Sequence, residues 1–365
     1  MTNRRISLLA ATALGSICAM GACDNTDGVA KDYAPLLQSL TDTAILPALD
    51  AAATRADALS AATHALMTNA TADSLTAAQA AWRDARAKWR LLDAYYFGPV
   101  ADDGIADRID LAPAKANDID AVIAGTPPID VAYVGTLGGK SKGFLGLEYL
   151  LFAKGGNAAV LAMLQGDGAA ARRRAFAAAI SDEIASSAHQ LKDAWDPAKG
   201  GFATTVKTAG SGSARYPTQI AALADIANAA SAAIEIVVGS RLAVPLGHKS
   251  TGSPDPTLDP TSLSDSAVAD MTSTLDSVKS IYANPQLSTA IKSFSVSLAA
   301  TSQAQMSACA TSVTAMPTPF DTTLVKNTAA VQAAYDSCKA WKTTWNADIV
   351  SALGVALYST DKDGD

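Results

Sequence analysis

Histidine is scarce in this chain: there are three in 365 residues, at positions 64, 189 and 248. No two are four residues apart and no His-Glu-x-x-His occurs, which excludes the usual helical zinc-hydrolase site. Gly-x-Ser-x-Gly is absent, and no histidine neighbours Cys309 or Cys338 in sequence, so nucleophilic catalysis has no positive support. A basic stripe is missing too; the formal charge is −7, which argues against nucleic acid as a partner. Aromatic residues make up 6% and β-branched runs are few, while Ala and Leu abound. Summed over long windows that composition favours helix, and we read an all-α protein.

The first apolar run, Leu8 to Met20, is too short to span a bilayer and follows Arg4 and Arg5. It ends in "MGAC", small residues directly before Cys23, the pattern of a lipoprotein signal. Residues 1–22 are therefore expected to be a cleaved lipoprotein signal peptide, Cys23 the lipidation site and residues 23–32 a tether. Diacylation supplies two acyl chains, enough to hold the chain at a membrane surface without crossing it. The expected location is the bacterial cell envelope, facing the periplasm or the outer surface. Loss of Arg4 and Arg5 with the signal takes the formal charge from −7 to −9. In an oxidising compartment Cys309 and Cys338 can bridge two antiparallel helices or remain as two buried thiols.

Helical patterns run over about 33–67, 74–97, 144–153, 157–166, 169–194, 217–239, 264–281, 286–312 and 322–353, with Pro47 expected to kink the first. Turn-rich stretches at 125–143, 208–217 and 250–266 separate them. Residues 208–216 read as a linker between an N-terminal helical half, 33–207, and a C-terminal half, 217–365. "QAAW" at 79–82 and "QAAY" at 332–335 permit a duplicated bundle. "VGTLGGKS" at 134–141, after a strand-like "IDVAYV", places its first glycine one residue out of register for a phosphate loop. The closing "STDKDGD" has early calcium-loop acids, but the chain ends before a twelfth-position glutamate, and a solvated acidic tail is the simpler reading. His64 and His189 read as surface residues, and His248, in a turn, as the fairer ligand candidate.

"GFLGLEYLLF" at 143–152 carries one ionisable carboxylate, Glu148, in an otherwise apolar, glycine or aromatic run. Burying it demands a cation, a metal or a raised pKa. Arg83, Arg86 or Arg241 can supply a structural ion pair; a ligand site between helices, with Asp93 as a second carboxylate, is the functional alternative. Trp82, Arg86, Trp89, Asp93 and Tyr96 follow helical spacing along one stripe, which puts two charges on an aromatic face.

With these residues in view the chain resembles the imelysin family, the insulin-cleaving membrane protease family and its imelysin-like lipoproteins. "AWRDARAKWRLLDAYYFGP", "DRIDLAP", "KGFLGLEYLLF" and "LGVALYSTDKDGD" are similar, in order, to the family's Trp/Arg-rich helix, its Ile-Asp-x-x-Pro element, its Gly-x-His-x-x-Glu signature and its closing Asp-Gly-Asp. The resemblance implies two helical-bundle halves with a cleft between them, in envelope proteins often tied to iron or metal uptake. Gly143 and Glu148 match the signature, and Asp93 stands where the family usually has a glutamate. The signature histidine falls on Leu145, which cannot ligate a metal or move a proton. We therefore expect a non-catalytic ligand-binding or metal-binding protein. Glu148, Asp93, Arg86, Trp89, Tyr96, Gly143 and Arg241 are the candidate ligand residues, and Glu148 and Asp93 the candidate ligands of a divalent or ferric ion. The alternatives are a divergent metallopeptidase using Glu148, Asp93 and His248, and a helical scaffold that docks an envelope partner.

Overall fold

Pro47 has no N–H to return to the preceding turn, and the first helix accommodates it by widening rather than by breaking. The computed structural model describes residues 31–250 and 252–358. In it α1 (Ala34–Leu40) passes through a π-helical turn, Thr41–Ile45, into α2 (Leu46–Thr68), and the Leu46 N–H reaches back five residues to the Thr41 carbonyl. The expected kink is thus a π turn one residue before the proline-bearing turn. A capping box, in which Thr71 and Ser74 exchange side-chain and backbone hydrogen bonds, starts α3 (Ala72–Arg90).

α4 (Gly143–Leu151) packs on α3 and on α5 (Ala169–Trp195), and α5 lies along α2. α6 (Gln219–Glu235) widens into a longer π segment, Ile236–Ala243; it packs against α7 (Ala267–Tyr282), which also lies against α3. α8 (Val296–Thr314) and α9 (Thr328–Thr344) are adjacent and joined by the Cys309–Cys338 disulfide. Among the described residues there is no strand, and those from Tyr33 to Tyr358 belong to one compact unit. The Tyr33 hydroxyl donates to the Leu353 carbonyl at 2.8 Å, tying the start of that unit to its end. Gln219–Ala243 is long and apolar enough to cross a membrane, yet just over half of its most apolar stretch is buried inside the body, the packing of a core helix. The signal, the lipidation site, the tether up to residue 30 and the Asp-Gly-Asp ending lie outside the described residues.

Several expected elements change. The "IDVAYV" stretch is not strand-like but enters a short helix, Val131–Gly135, because the Asp130 carboxylate caps the Tyr133 N–H. Residues 98–124, in which no helix was expected, hold Pro99–Asp102, Ile105–Ile109 and Ala116–Ala124, each too short to show a helical repeat. The expected helix over 286–312 is interrupted at Ser295, whose hydroxyl caps Leu298, and that over 322–353 at Asn327. Most consequential is α3, which stops at Arg90: a 3-10 turn, Asp93–Tyr95, follows, so Asp93 and Tyr96 leave the stripe of Trp82, Arg86 and Trp89.

Candidate functional site

Arg86 and Arg90, one turn apart on α3, are both buried. Guanidinium groups taken out of water need carboxylates with good geometry, and these arrive from distant parts of the chain. Asp270 of α7 accepts the Arg86 Nε at 2.9 Å and Nη2 at 2.7 Å, a bidentate fork. Asp110, just after Ile105–Ile109, accepts Arg86 Nη1 at 2.8 Å and also pairs with Arg90. Asp93 pairs with Arg90 at 3.4 Å and accepts the Thr274 hydroxyl at 2.6 Å. The Arg86 guanidinium lies 5.5 Å from the Trp82 ring and 5.8 Å from Phe144, so aromatic faces close the network.

Gly143 sets the start of α4. Its φ is +66°, and a Cβ there would stand 2.3 Å from the Ile109 carbonyl oxygen, so the backbones meet where only glycine fits. That contact holds Asp110 beside Arg86. Five residues on, Glu148 is 2% exposed, and its Oε1 accepts the Ser264 backbone N–H at 2.9 Å. Burial pushes its pKa up to about 7, against the opposing pull of the Ser264 hydrogen bonds and the Arg86 charge.

None of the arginines considered as its ion-pair partners pairs with it. Arg83 donates to the Ser264 carbonyl and covers the Phe152 ring, Arg86 is taken by Asp110 and Asp270, and Arg241 approaches Asp270 at 3.9 Å. Among the described residues Glu148 forms no ion pair, so of the two alternatives the structural pair with an arginine is not the one found.

A cleft of about 570 Å³ opens over Glu148. Leu145 and Tyr149 come from α4, Arg90 from α3, and Ile236, Ser240 and Arg241 from the π segment, with Thr257–Pro260 closing one side. Asp259, buried there, is pushed up in pKa by desolvation while the Arg241 charge opposes the shift. Asp93, Trp89 and Tyr96 line a second cavity of about 210 Å³, to which Arg90 and Ile236 also contribute. The structure thus places Glu148 and Arg241 in one cleft and Asp93, Trp89 and Tyr96 in the other, while Arg86 lines neither.

No cluster of three or more His, Cys, Asp or Glu suited to a metal is found among the described residues. His64 and His189 are surface residues beside Asp182 and Asp57, and His248 meets Gln332 and the Tyr335 ring. Asp110, Asp259, Asp270 and Ser264 were not singled out by sequence reading, and neither was Arg90. Arg90 carried a signal, its one-turn spacing from Arg86; Asp110 lay inside the quoted "DRIDLAP"; Asp270 had none.

Residues 45–343 match the imelysin (peptidase M75) family model. The chain belongs to the imelysin family. It is 25% identical over 242 residues to iron-regulated protein A of Synechococcus elongatus, a match covering 64% of this chain and 62% of that relative, under two thirds of its length. A crystal structure of an imelysin-like protein from Psychrobacter arcticum aligns with a TM-score of 0.74 at 16% identity, covering 90% of this chain and 98% of that one. A second, from Parabacteroides distasonis and described as an iron-regulated protein A precursor, gives 0.73 at 19%, covering 88% and 95%. At such identities the likeness establishes the fold. In this imelysin the first and last signature positions have visible roles, Gly143 as the docking point of α4 and Glu148 as the cleft carboxyl. The middle one, Leu145, presents an aliphatic side chain to the same cleft.

Proposed function

We propose that this imelysin is a non-catalytic, lipid-anchored binding protein of the bacterial envelope that serves iron or metal acquisition, with its ligand seated over Glu148. The observation that carries this reading is a carboxyl without an ion-pair partner among the described residues, buried at the wall of a 570 Å³ cleft that it shares with Arg90 and Arg241. A buried acid with a pKa near neutrality is costly for stability alone, which supports a binding role for it. The iron association rests on the name of the Synechococcus relative and on the family resemblance.

A bare cation fits the cleft poorly. Arg90 and Arg241 share it with Glu148 and Asp259, and the two guanidinium charges oppose a divalent or ferric ion. Peptidase chemistry is supported by one feature, a carboxyl whose pKa suits proton transfer. Its other candidate members are dispersed, Asp93 in the neighbouring cavity and His248 against Tyr335, and Leu145 offers no lone pair.

Calorimetric titration of the metal-stripped soluble domain with ferrous, ferric, zinc and calcium ions, beside Glu148→Gln, tests the metal-binding form. Saturable binding that the variant loses supports it. Hydrolysis of an unstructured protein that is abolished by chelator and by Glu148→Gln would replace it with the enzyme reading.

A further inference from the structure

We infer that the cleft over Glu148 takes a carboxylate-bearing organic ligand, bound through the Arg241 guanidinium, and that any metal it carries enters as a carboxylate chelate. This deepens the binding reading above and rests on it. Arg241 is the least neutralised cation of the site: among the described residues its one carboxylate contact within 4 Å is Asp270 at 3.9 Å, and that carboxylate is already forked by Arg86. Its Nη1 is buried and finds no acceptor among the described protein groups, and neither does Nε of Arg90, which lines the same cleft. Two such donors cost the folded protein free energy that an anionic acceptor would return.

Arg241 also sits in the π segment Ile236–Ala243, which presents Ile236, Ser240 and Arg241 to the cleft, with Val244 directly after it. Widened helical turns of this kind are rare and concentrate at functional sites. The planar fork of arginine matches a carboxylate in two parallel hydrogen bonds. Leu145, Ile236, Val244 and Leu258 supply apolar walls for the rest of a small organic acid.

Acetate, citrate and ferric citrate serve as probes, each added to the full mature chain and read by thermal melting and calorimetry, with Arg241→Gln and Arg241→Lys in parallel. Citrate or its ferric complex is expected to raise the melting temperature of the wild type. Arg241→Gln should weaken binding by roughly tenfold or more, and Arg241→Lys, which keeps the charge but not the fork, by less. Should Arg241→Gln fail to fold, Arg241→Lys and the wild-type titrations carry the test. Free metal binding that depends on Glu148, with no response to any of the three carboxylates, overturns this inference and leaves the binding reading standing. Carboxylate binding untouched by either Arg241 variant also overturns it. Silence to metals and carboxylates alike ends both.

Discussion

Glu148 ties the stability of the protein to pH. Its ordinary pKa of 4.5 is raised to about 7 in the fold by burial, so between those values the folded chain holds a proton that the unfolded chain has lost. Stability therefore falls as pH climbs from 4.5 through 7, by about 3 kcal/mol in total for this group, and is level above. Glu183 and Asp259 are shifted in the same direction, also mainly by burial, so the whole-protein slope is not diagnostic. The difference between wild type and Glu148→Gln is. An amide oxygen can still accept the Ser264 N–H, so the two should be nearly equal in urea at pH 4, and the variant should be more stable by about 3 kcal/mol at pH 8. A variant weaker than wild type at pH 8 would mean that the charged carboxylate is paired after all.

At the scale of elements, the site depends on where α3 ends and where α4 begins. Had α3 continued to residue 97, Asp93 would point along the Trp82 stripe; ending at Arg90, it lets a 3-10 turn bring Asp93 back to Arg90 and Thr274. α4 starts where Gly143 meets the Ile109 backbone. Gly143→Ala is expected to cost about 3 kcal/mol, from a left-handed conformation that alanine resists and a Cβ pressed on backbone that cannot yield. Denaturant unfolding measures that loss. A shift below 1 kcal/mol would show that the Ile109 contact does not set the start of α4.

For the whole molecule, the described body is one unit, and its charged centre is assembled across the expected linker: Arg86 and Asp110 come from one side, Asp270 and Arg241 from the other. Expressed apart, residues 33–207 and 217–365 should show no cooperative thermal transition, because each would expose an apolar face and keep a buried charge without its partner. Cooperative melting of either half would establish an independent domain. The all-helical class, Arg86 beside tryptophan and the singular Glu148 were legible in sequence, because composition, helical spacing and an isolated charge are local signals. The short helices of 98–135 and the π turns were not, since four to nine residues show no period and a π turn adds a single residue to one. Sequence by itself determined which residues must be buried and that a lone carboxylate among them needs an explanation. Only the tertiary structure decided that Asp110 and Asp270, not Glu148, neutralise Arg86, and that Glu148 shares a cleft with Arg241 rather than with Asp93, because pairing between residues on different helices and loops is set by how those elements pack and leaves no trace in local spacing.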